Sequence, residues 1–590
     1  MSWESIKARL LQRKTLAQID RDLDSTESHS LVRSLTLLDL TCFGIAAVIG
    51  AGAFTTIGKA SYDGGPAISL LFVITAVACL FSALCYAQFA SSIPVSGSAY
   101  TYAFVAFGEL TAWMIGWNLL MEYAIGNSVL AFAWSSYFVN LLEGMQGWLA
   151  TMGLDFQIPQ WLVQDYYSCV RAPDQVAAVQ AANGTVSEEL RRHLQAWETA
   201  PSIGGWKFIV DLPAILINLL ITALVIIGIQ ESKRVSNAMV LLKMAVVLLV
   251  VLIGCYYIKP ENWSPFAPNG LEGVFKGISG VFFASIGFDA ISTTAEECKN
   301  AQRDIPRATL LTLLLCTIIY IILSFTLTGM ISYKELNVDD PLAYVFEKVG
   351  LPSLVGIISL SAVVATTSVF LVFQLGQPRI FMSMARDGLL PKQFASIHPR
   401  FKTPAFASVI TGLMVALPTL FLNSQFVTDL ASIGTLFAFM FVCAGILVAD
   451  AQEPTSNDSP PTGFRVPRLP GQVLVPICLL AYLAILPKLP ANHQFWGDWM
   501  PEGNFHYDRI PYLIFVMVFV SLTVAAVKYR WSAIPVLGVV INLYLIAGLG
   551  AINWAWFAFW CLIGLLTYGC YGYHHSRRSI RNLDHQDRNM

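Results

Sequence analysis

Two short segments that contain glycine lie inside long apolar stretches, and they are the best candidates in this sequence for binding a small solute. The first consists of Ile49, Gly50, Ala51 and Gly52, and the second of Phe283, Ala284, Ser285, Ile286 and Gly287. Glycine allows a membrane helix to unwind, and the freed amides and carbonyls must then be satisfied by a polar solute, water or neighbouring protein.

The amides that open the helix after the first segment would attract a carboxylate, and the carbonyls freed near Phe283 and Ala284 would accept hydrogen bonds from an ammonium group. An amino acid zwitterion satisfies both kinds of backbone group. The alternative is that small residues such as Gly44, Gly50 and Gly52 only allow helices to pack closely.

Lys243 and Glu122 are ionisable residues that lie well inside apolar stretches, where charge is costly. Lys243 follows Arg234 by nine residues and so lies near mid-membrane, where a charged lysine costs about 2.5–3.5 kcal/mol. An amine that changes protonation state there could carry a proton, whereas a lysine that reaches the interface would be structural. Glu122 is suited to a cationic substrate group, to proton movement or to a structural hydrogen bond between helices.

The composition predicts the elements that hold these residues, because 56% of residues are hydrophobic, 13% are charged and the mean hydropathy is +0.61. Such a chain belongs in a lipid bilayer, and its net charge of -2 gives no indication of a nucleic-acid partner. Apolar runs long enough to span a membrane lie near 37–59, 67–90, 102–140, 209–229, 236–257, 272–294, 309–331, 353–376, 404–423, 427–449, 471–488, 511–528, 533–549 and 552–573.

The first and sixth runs carry the two glycine segments and are separated by four others, which indicates two inverted five-helix repeats with a discontinuous helix in each. The third run is long enough for one tilted helix or two spans. With one helix, most Lys and Arg fall on the side of the N-terminus, so we expect one helix and cytoplasmic termini.

These assignments divide the chain into consecutive regions. We expect a cytoplasmic N-terminal segment 1–34, a first repeat 35–258 with an extracellular loop 143–206, a second repeat 268–450, a cytoplasmic linker 451–470, spans eleven to fourteen in 471–573 and a cytoplasmic tail 574–590. The loop has mixed charge and is expected to form a partly ordered cap, to which we assign no function. Asn183 is a glycosylation acceptor only in a host that glycosylates.

Several long motifs, in order, resemble the amino acid, polyamine and organocation transporter superfamily, and most closely its cationic amino acid transporter branch. They are GIAAVIGAGAF at 44–54, SSIPVSGSAYTYAF at 91–104, ESKRVSNAMVLLKMAVVLL at 231–249, FFASIGFDAISTTAEECKNAQRDIPRA at 282–308 and GQPRIFMSMARDGLLP at 376–391. The resemblance runs from about 30 to 450 and resumes at 533–576. It implies an all-α integral membrane protein of the leucine-transporter-type fold, with two inverted five-helix repeats and about four further C-terminal helices.

The resemblance also implies roles for individual residues. It assigns the substrate carboxylate to Ile49, Gly50, Ala51 and Gly52, and the ammonium group to Phe283, Ala284 and Ile286. Phe283 resembles the aromatic residue that closes over substrate, although simple packing is the alternative. Lys243 matches a lysine that occupies the place of a sodium ion in sodium-coupled relatives, which implies proton coupling or ion independence.

Two residues differ from the usual residue of this family, and a third residue bears on the choice of substrate. Gln88 replaces a usual glutamate and so removes a charge at the inner end of the second span, and Ser285 replaces a common aromatic residue and makes the space around the second break looser or more polar. Phe373 matches a position that lines the side-chain subpocket and is often small in arginine carriers. The aromatic ring of Phe373 should shorten this subpocket, which predicts small neutral amino acids as substrates.

The expected function is therefore proton-coupled uptake of a small neutral amino acid by alternating access, in a cell membrane. A cationic amino acid uniporter, an amino acid exchanger and a nontransporting amino acid sensor remain alternatives. The sequence carries no nucleophile motif and no cluster with metal-ligand spacing, so we expect neither an enzyme nor a cofactor. The run ARDGLLP at 385–391, Asp289 and the pair Glu296 and Glu297 are interpreted as an intracellular gate or loop brace.

Overall fold

The computed structural model describes residues 12–14, 35–50, 52–93, 98–151, 158–181, 186–227, 233–270, 273–274, 277–338, 340–450, 463–485 and 509–576. Within these ranges the fold is helical apart from one hairpin of β1 Ser202–Ile203 and β2 Trp206–Lys207. The helices are α1 Leu37–Val48, α2 Ile57–Gly64, α3 Ile68–Ser92, α4 Ser98–Ala106, α5 Glu109–Thr151, α6 Tyr166–Ala181, α7 Glu188–Thr199, α8 Leu212–Ile227, α9 Lys233–Tyr256, α10 Ile278–Ser285, α11 Ala301–Met330, α12 Pro341–Lys348, α13 Pro352–Arg386, α14 Ala405–Phe421, α15 Ser424–Asp450, α16 Gly471–Ile485, α17 Ile510–Tyr529, α18 Ala533–Ala547, α19 Ala551–Thr567 and α20 Tyr573–His575.

The apolar surface of these helices identifies an integral membrane protein. Among the described residues, seven helical stretches are long and apolar enough to cross a bilayer, and six shorter apolar helices accompany them. Leu216, Leu219 and Leu220 on α8 are each more than half exposed, which only a lipid environment would favour. The expectation of an all-α membrane fold is confirmed.

The third apolar run forms a single helix, as the charge distribution predicts. Helix α5 has 43 residues and a length of about 65 Å, so it extends well beyond a bilayer core of about 30 Å. It begins at Glu109, later than the run at 102–140, because Gly108 has a φ of 107° and separates it from α4.

Helix packing divides the body into two groups. In one, α5 lies along α13 and α15, with α8 and α14 beside them; in the other, α11 lies along α3 and α1, with α10 against α3. Helix α18 packs on α15 and, with α16 and α17, forms a second apolar cluster around Phe515 and Phe519.

The segment 143–206 is more ordered than its composition indicates. Helices α6 and α7 pack together over a small apolar core that includes Cys169, Ala196 and Ile209, and Ser187 caps the start of α7 by accepting a hydrogen bond from the Leu190 amide. The expected glycosylation acceptor Asn183 and most of the linker, 451–462, lie outside the described residues.

Candidate solute-binding site

The first transmembrane helix breaks at its predicted glycines. Helix α1 starts with a capping box, in which the Thr36 amide donates to Asp39, and it ends at Val48. A π-helical turn, Gly52–Thr56, follows before α2. The Gly50 amide donates to the Val48 carbonyl at 3.0 Å, so the chain turns tightly at the break. Ala51, also predicted to contact solute, lies outside the described residues.

The second break follows α10. Ile286 is extended, with ψ of 151°, and Gly287 has a φ of 117°, a left-handed conformation that a side chain would strain. The chain then continues as a 3₁₀ helix, Phe288–Glu297. The Ile286 amide donates to the Phe283 carbonyl at 3.2 Å, so the last turn of α10 closes tightly before the break.

The two breaks lie directly against each other. A methyl group added at Gly52 would lie 2.6 Å from the side chain of Ala284, and closer still to the Cα atom of Ala284. A methyl group added at Gly287 would lie 2.9 Å from the backbone of Ala47. Because Ala47 faces Gly287 while Gly52 faces Ala284, the two broken helices run antiparallel. The glycines therefore allow both the close packing and the unwinding that the sequence left as alternatives.

Lys243 reaches the first break from α9 and is completely buried. Its ammonium nitrogen donates hydrogen bonds of 2.8 Å to the carbonyl oxygens of both Ala46 and Ile49. The Tyr320 hydroxyl of α11 donates to the Val48 carbonyl at 2.9 Å. The carbonyls at the end of α1 are the negative end of its dipole, so a cation is well placed there. The side chain lies against the break and does not snorkel to an interface.

A narrow cavity lies between the two breaks and α13. The cavity has room for about one water molecule. Phe283 and Phe373, which are each 9% exposed, lie in its wall. The residues that line it are Ala47, Val48, Gly52, Leu130, Phe283, Ile286, Val369 and Phe373.

A second small cavity is lined by Glu122, Tyr123, Asp289 and Phe373, so Phe373 borders both cavities. Glu122 and Asp289 are 7% and 4% exposed, so two buried acidic residues lie at this second cavity. Asp289 is interpreted from the sequence as part of an intracellular gate or loop brace, and the structure places its buried side chain in the lining of this cavity.

Helices α5 and α13 pack closely beside these cavities, because a glycine on each helix leaves room for an aromatic ring of the other. A methyl group at Gly126 of α5 would lie 3.3 Å from the Phe373 ring, and one at Gly376 of α13 would lie 2.9 Å from the Tyr123 ring. The rings of Tyr123 and Phe373 meet edge to face with centroids 5.2 Å apart. This reciprocal fit holds the Phe373 ring, which borders both cavities, in place.

Three predicted residues have a more local role. The Ser285 hydroxyl donates to the Val281 carbonyl at 3.0 Å within α10, so it adds little polarity to the cavity. Ala284 packs against Gly52. Gln88 accepts a 2.8 Å hydrogen bond from the Val466 amide, and so it braces the C-terminal part of the linker, at a distance from the breaks.

Comparison with known proteins agrees with this arrangement. The family model described as amino acid permease matches residues 35–521, and a model of the C-terminus of the same permeases matches residues 533–576. A methylthioribose transporter of Bacillus subtilis (strain 168) is 40% identical over 77% of this chain and 87% of its own length.

Two further relatives carry different names. The branched-chain amino acid permease BcaP of Bacillus subtilis (strain 168) is 39% identical over 77% of this chain and 88% of its own. Cationic amino acid transporter 4 of Homo sapiens is 30% identical over 95% of this chain and 90% of its own. All three names are those of transporters or permeases, and none is that of an enzyme.

Proposed function

The chain belongs to the amino acid permease family, and on that premise we propose that it takes up small neutral amino acids together with protons by alternating access. The family match confirms the superfamily and the cationic amino acid transporter branch that the motifs resemble. The observation that carries the proposal is the contact between two antiparallel broken helices, Gly52 against Ala284, with the buried Lys243 ammonium beside them.

The breaks bind the two ends of the zwitterion. The backbone of Ile49, Gly50, Ala51 and Gly52 receives the carboxylate, where amide groups open the next helical turn. The carbonyls at the end of α10, around Phe283, Ala284 and Ile286, accept hydrogen bonds from the ammonium group. The Phe283 ring lies over the substrate, and Ser285 supports the end of α10 through its bond to Val281.

Lys243 couples transport to protons. Protonated, it holds α9 against the end of α1 through the carbonyls of Ala46 and Ile49. Deprotonation removes the positive charge that makes these bonds strong, so α1 is freed to move relative to α9. The protonation state of Lys243 therefore acts on the same break that is proposed to receive the substrate carboxylate, and a shared element of this kind can couple the two.

Phe373 limits the substrate's side chain. Phe373 lines both cavities, and this supports a role in which its ring keeps the substrate's side chain away from Glu122 and Asp289 and so favours short uncharged side chains. The names of two relatives, a methylthioribose transporter and a branched-chain permease, show that similar proteins carry uncharged groups. Glu122 and Asp289 then serve proton movement rather than substrate binding.

A cationic amino acid uniporter or exchanger is the second candidate. It is favoured by the two carboxyl groups behind Phe373, which would suit a guanidinium or ammonium side chain if the ring moved aside, and by the relatives named cationic amino acid transporters. A nontransporting sensor would use the same site without flux.

The proposed membrane is the cell membrane, with both termini in the cytoplasm and the segment 143–206 outside.

Uptake by proteoliposomes distinguishes these functions. Purified protein is reconstituted without sodium, and radiolabelled alanine uptake is measured with and without an inward proton gradient. We expect accumulation only with the gradient. Accumulation of arginine instead of alanine supports the second candidate, uptake only into liposomes preloaded with amino acid indicates exchange, and alanine-induced thermal stabilisation without flux indicates a sensor.

A further inference from the structure

The start of α16 and the end of α17 lie side by side, although a long stretch of chain separates them. The two helices pack against each other. The end of the linker pairs with the segment after α17, because the Ala533 amide donates to the Leu469 carbonyl at 3.0 Å and Pro470 forms an isolated β-bridge with Ser532. This pairing brings the residues that flank both segments to the same end of the two helices.

Three exposed cations flank the paired segments. Arg468 lies just before α16, and Lys528 and Arg530 lie at the end of α17. Within the described part of the chain, none of the three is paired with a carboxylate. The dipole of α17 favours cations at its C-terminal end, whereas Arg468 lies close to the positive end of α16, where a cation is disfavoured. A bound anion would offset that cost.

Aromatic and apolar side chains continue this surface toward the membrane. The Tyr529 ring is 59% exposed and stacks on the Trp531 ring with centroids 5.6 Å apart. The Lys528 ammonium lies 5.2 Å from the centroid of the Tyr529 ring. One and two turns earlier on α17, Val527 and Val524 are 49% and 62% exposed. Aromatic rings at the end of a membrane helix mark the headgroup level, and the exposed valines begin the surface that acyl chains cover.

We propose that Arg468, Lys528 and Arg530 bind the phosphate of an anionic phospholipid, whose acyl chains lie over the exposed faces of α16 and α17. Clusters of cations at the end of membrane helices attract such headgroups. A free phosphate ion would contact only the cations, whereas a phospholipid also covers the apolar surface continuous with them, which includes Val473 of α16, 51% exposed. The proposed orientation places the site in the cytoplasmic leaflet. Lipid binding itself does not depend on the proposed transport.

Native mass spectrometry of the full chain in detergent tests this site. The protein is titrated with phosphatidylglycerol and, separately, with phosphatidylcholine that has the same acyl chains. We expect the native protein to bind phosphatidylglycerol more tightly. Arg468→Gln, Lys528→Gln and Arg530→Gln should each weaken binding of phosphatidylglycerol about fivefold, the factor expected for one cation near a charged membrane surface. Binding of phosphatidylcholine should stay at the native level, which also verifies that each variant is folded.

Two controls make the result specific. Lys402→Gln removes the charge of another exposed lysine, which has a φ of 58° compared with 54° for Arg530, and it should keep the native affinity for phosphatidylglycerol. Inorganic phosphate, added at the concentration of the lipid, should not displace phosphatidylglycerol. Equal binding of the two lipids by the native protein, native affinity in all three variants, an equal loss in Lys402→Gln, or displacement by inorganic phosphate would each overturn the proposal. Because no amino acid is present, failure of alanine transport leaves this test valid.

Discussion

The ammonium nitrogen of Lys243 lies 2.8 Å from the carbonyl oxygen of Ile49, at the point where the first transmembrane helix unwinds. A second bond of the same length joins it to Ala46. The nitrogen of a buried lysine thus lies directly against the backbone that is proposed to receive the substrate carboxylate. This contact is the basis for the proposal that the protonation of Lys243 affects the shape of the site.

Gly52→Ala should abolish substrate binding. The added methyl group meets the Ala284 backbone, so the two broken helices must separate, and such overpacking costs about 1–3 kcal/mol. We expect alanine to lose its stabilising effect in a thermal-shift assay. Gly356→Ala is the matched control, because a methyl group there contacts nothing within 4 Å. Native stabilisation of Gly52→Ala by alanine would argue against substrate binding at the breaks.

Phe373→Ala should widen the range of substrates. Removing the ring joins the two cavities and gives a longer side chain access to Glu122 and Asp289. We expect arginine and lysine to stabilise this variant more than alanine does, although the truncation itself costs about 3–5 kcal/mol of folding stability. Phe381→Ala controls for that cost, because Phe381 is another buried ring of α13, which stacks on Phe394. An unchanged ranking of amino acids would show that Phe373 does not limit the substrate.

Glu122→Gln should alter the pH dependence of transport and leave binding intact. The amide keeps the shape of the side chain but cannot exchange a proton in the second cavity. We expect alanine uptake that varies much less with pH, with near-native stabilisation by alanine. Glu109→Gln changes another buried carboxyl group of α5, which accepts hydrogen bonds from Tyr568 and Ser576 far from both cavities, and should keep the native pH profile. If Glu122→Gln also keeps that profile, Glu122 has no part in proton movement.

The two breaks could be predicted from sequence because glycine lowers the cost of unwinding a membrane helix, and both glycine segments occupy matching places in the two repeats. Their direct contact could not, since it depends on which helices become neighbours. The neighbours of Asp289 could not be predicted for the same reason, because Glu122 and Phe373, which line the same cavity, lie on other helices. The sequence at Gln88 indicates only the loss of a charge. Its hydrogen bond to Val466 could not be predicted, because the two residues are far apart along the chain.

The most direct test of the central claim compares native protein with Lys243→Met in proteoliposomes, since methionine fills similar space without a charge. Radiolabelled alanine uptake is measured with and without an inward proton gradient, and alanine-induced thermal stabilisation verifies that the site is intact. We predict that the gradient drives accumulation in the native protein and has no effect in Lys243→Met, which still binds alanine. Equal gradient-driven accumulation by both proteins would contradict the role of Lys243 in proton coupling.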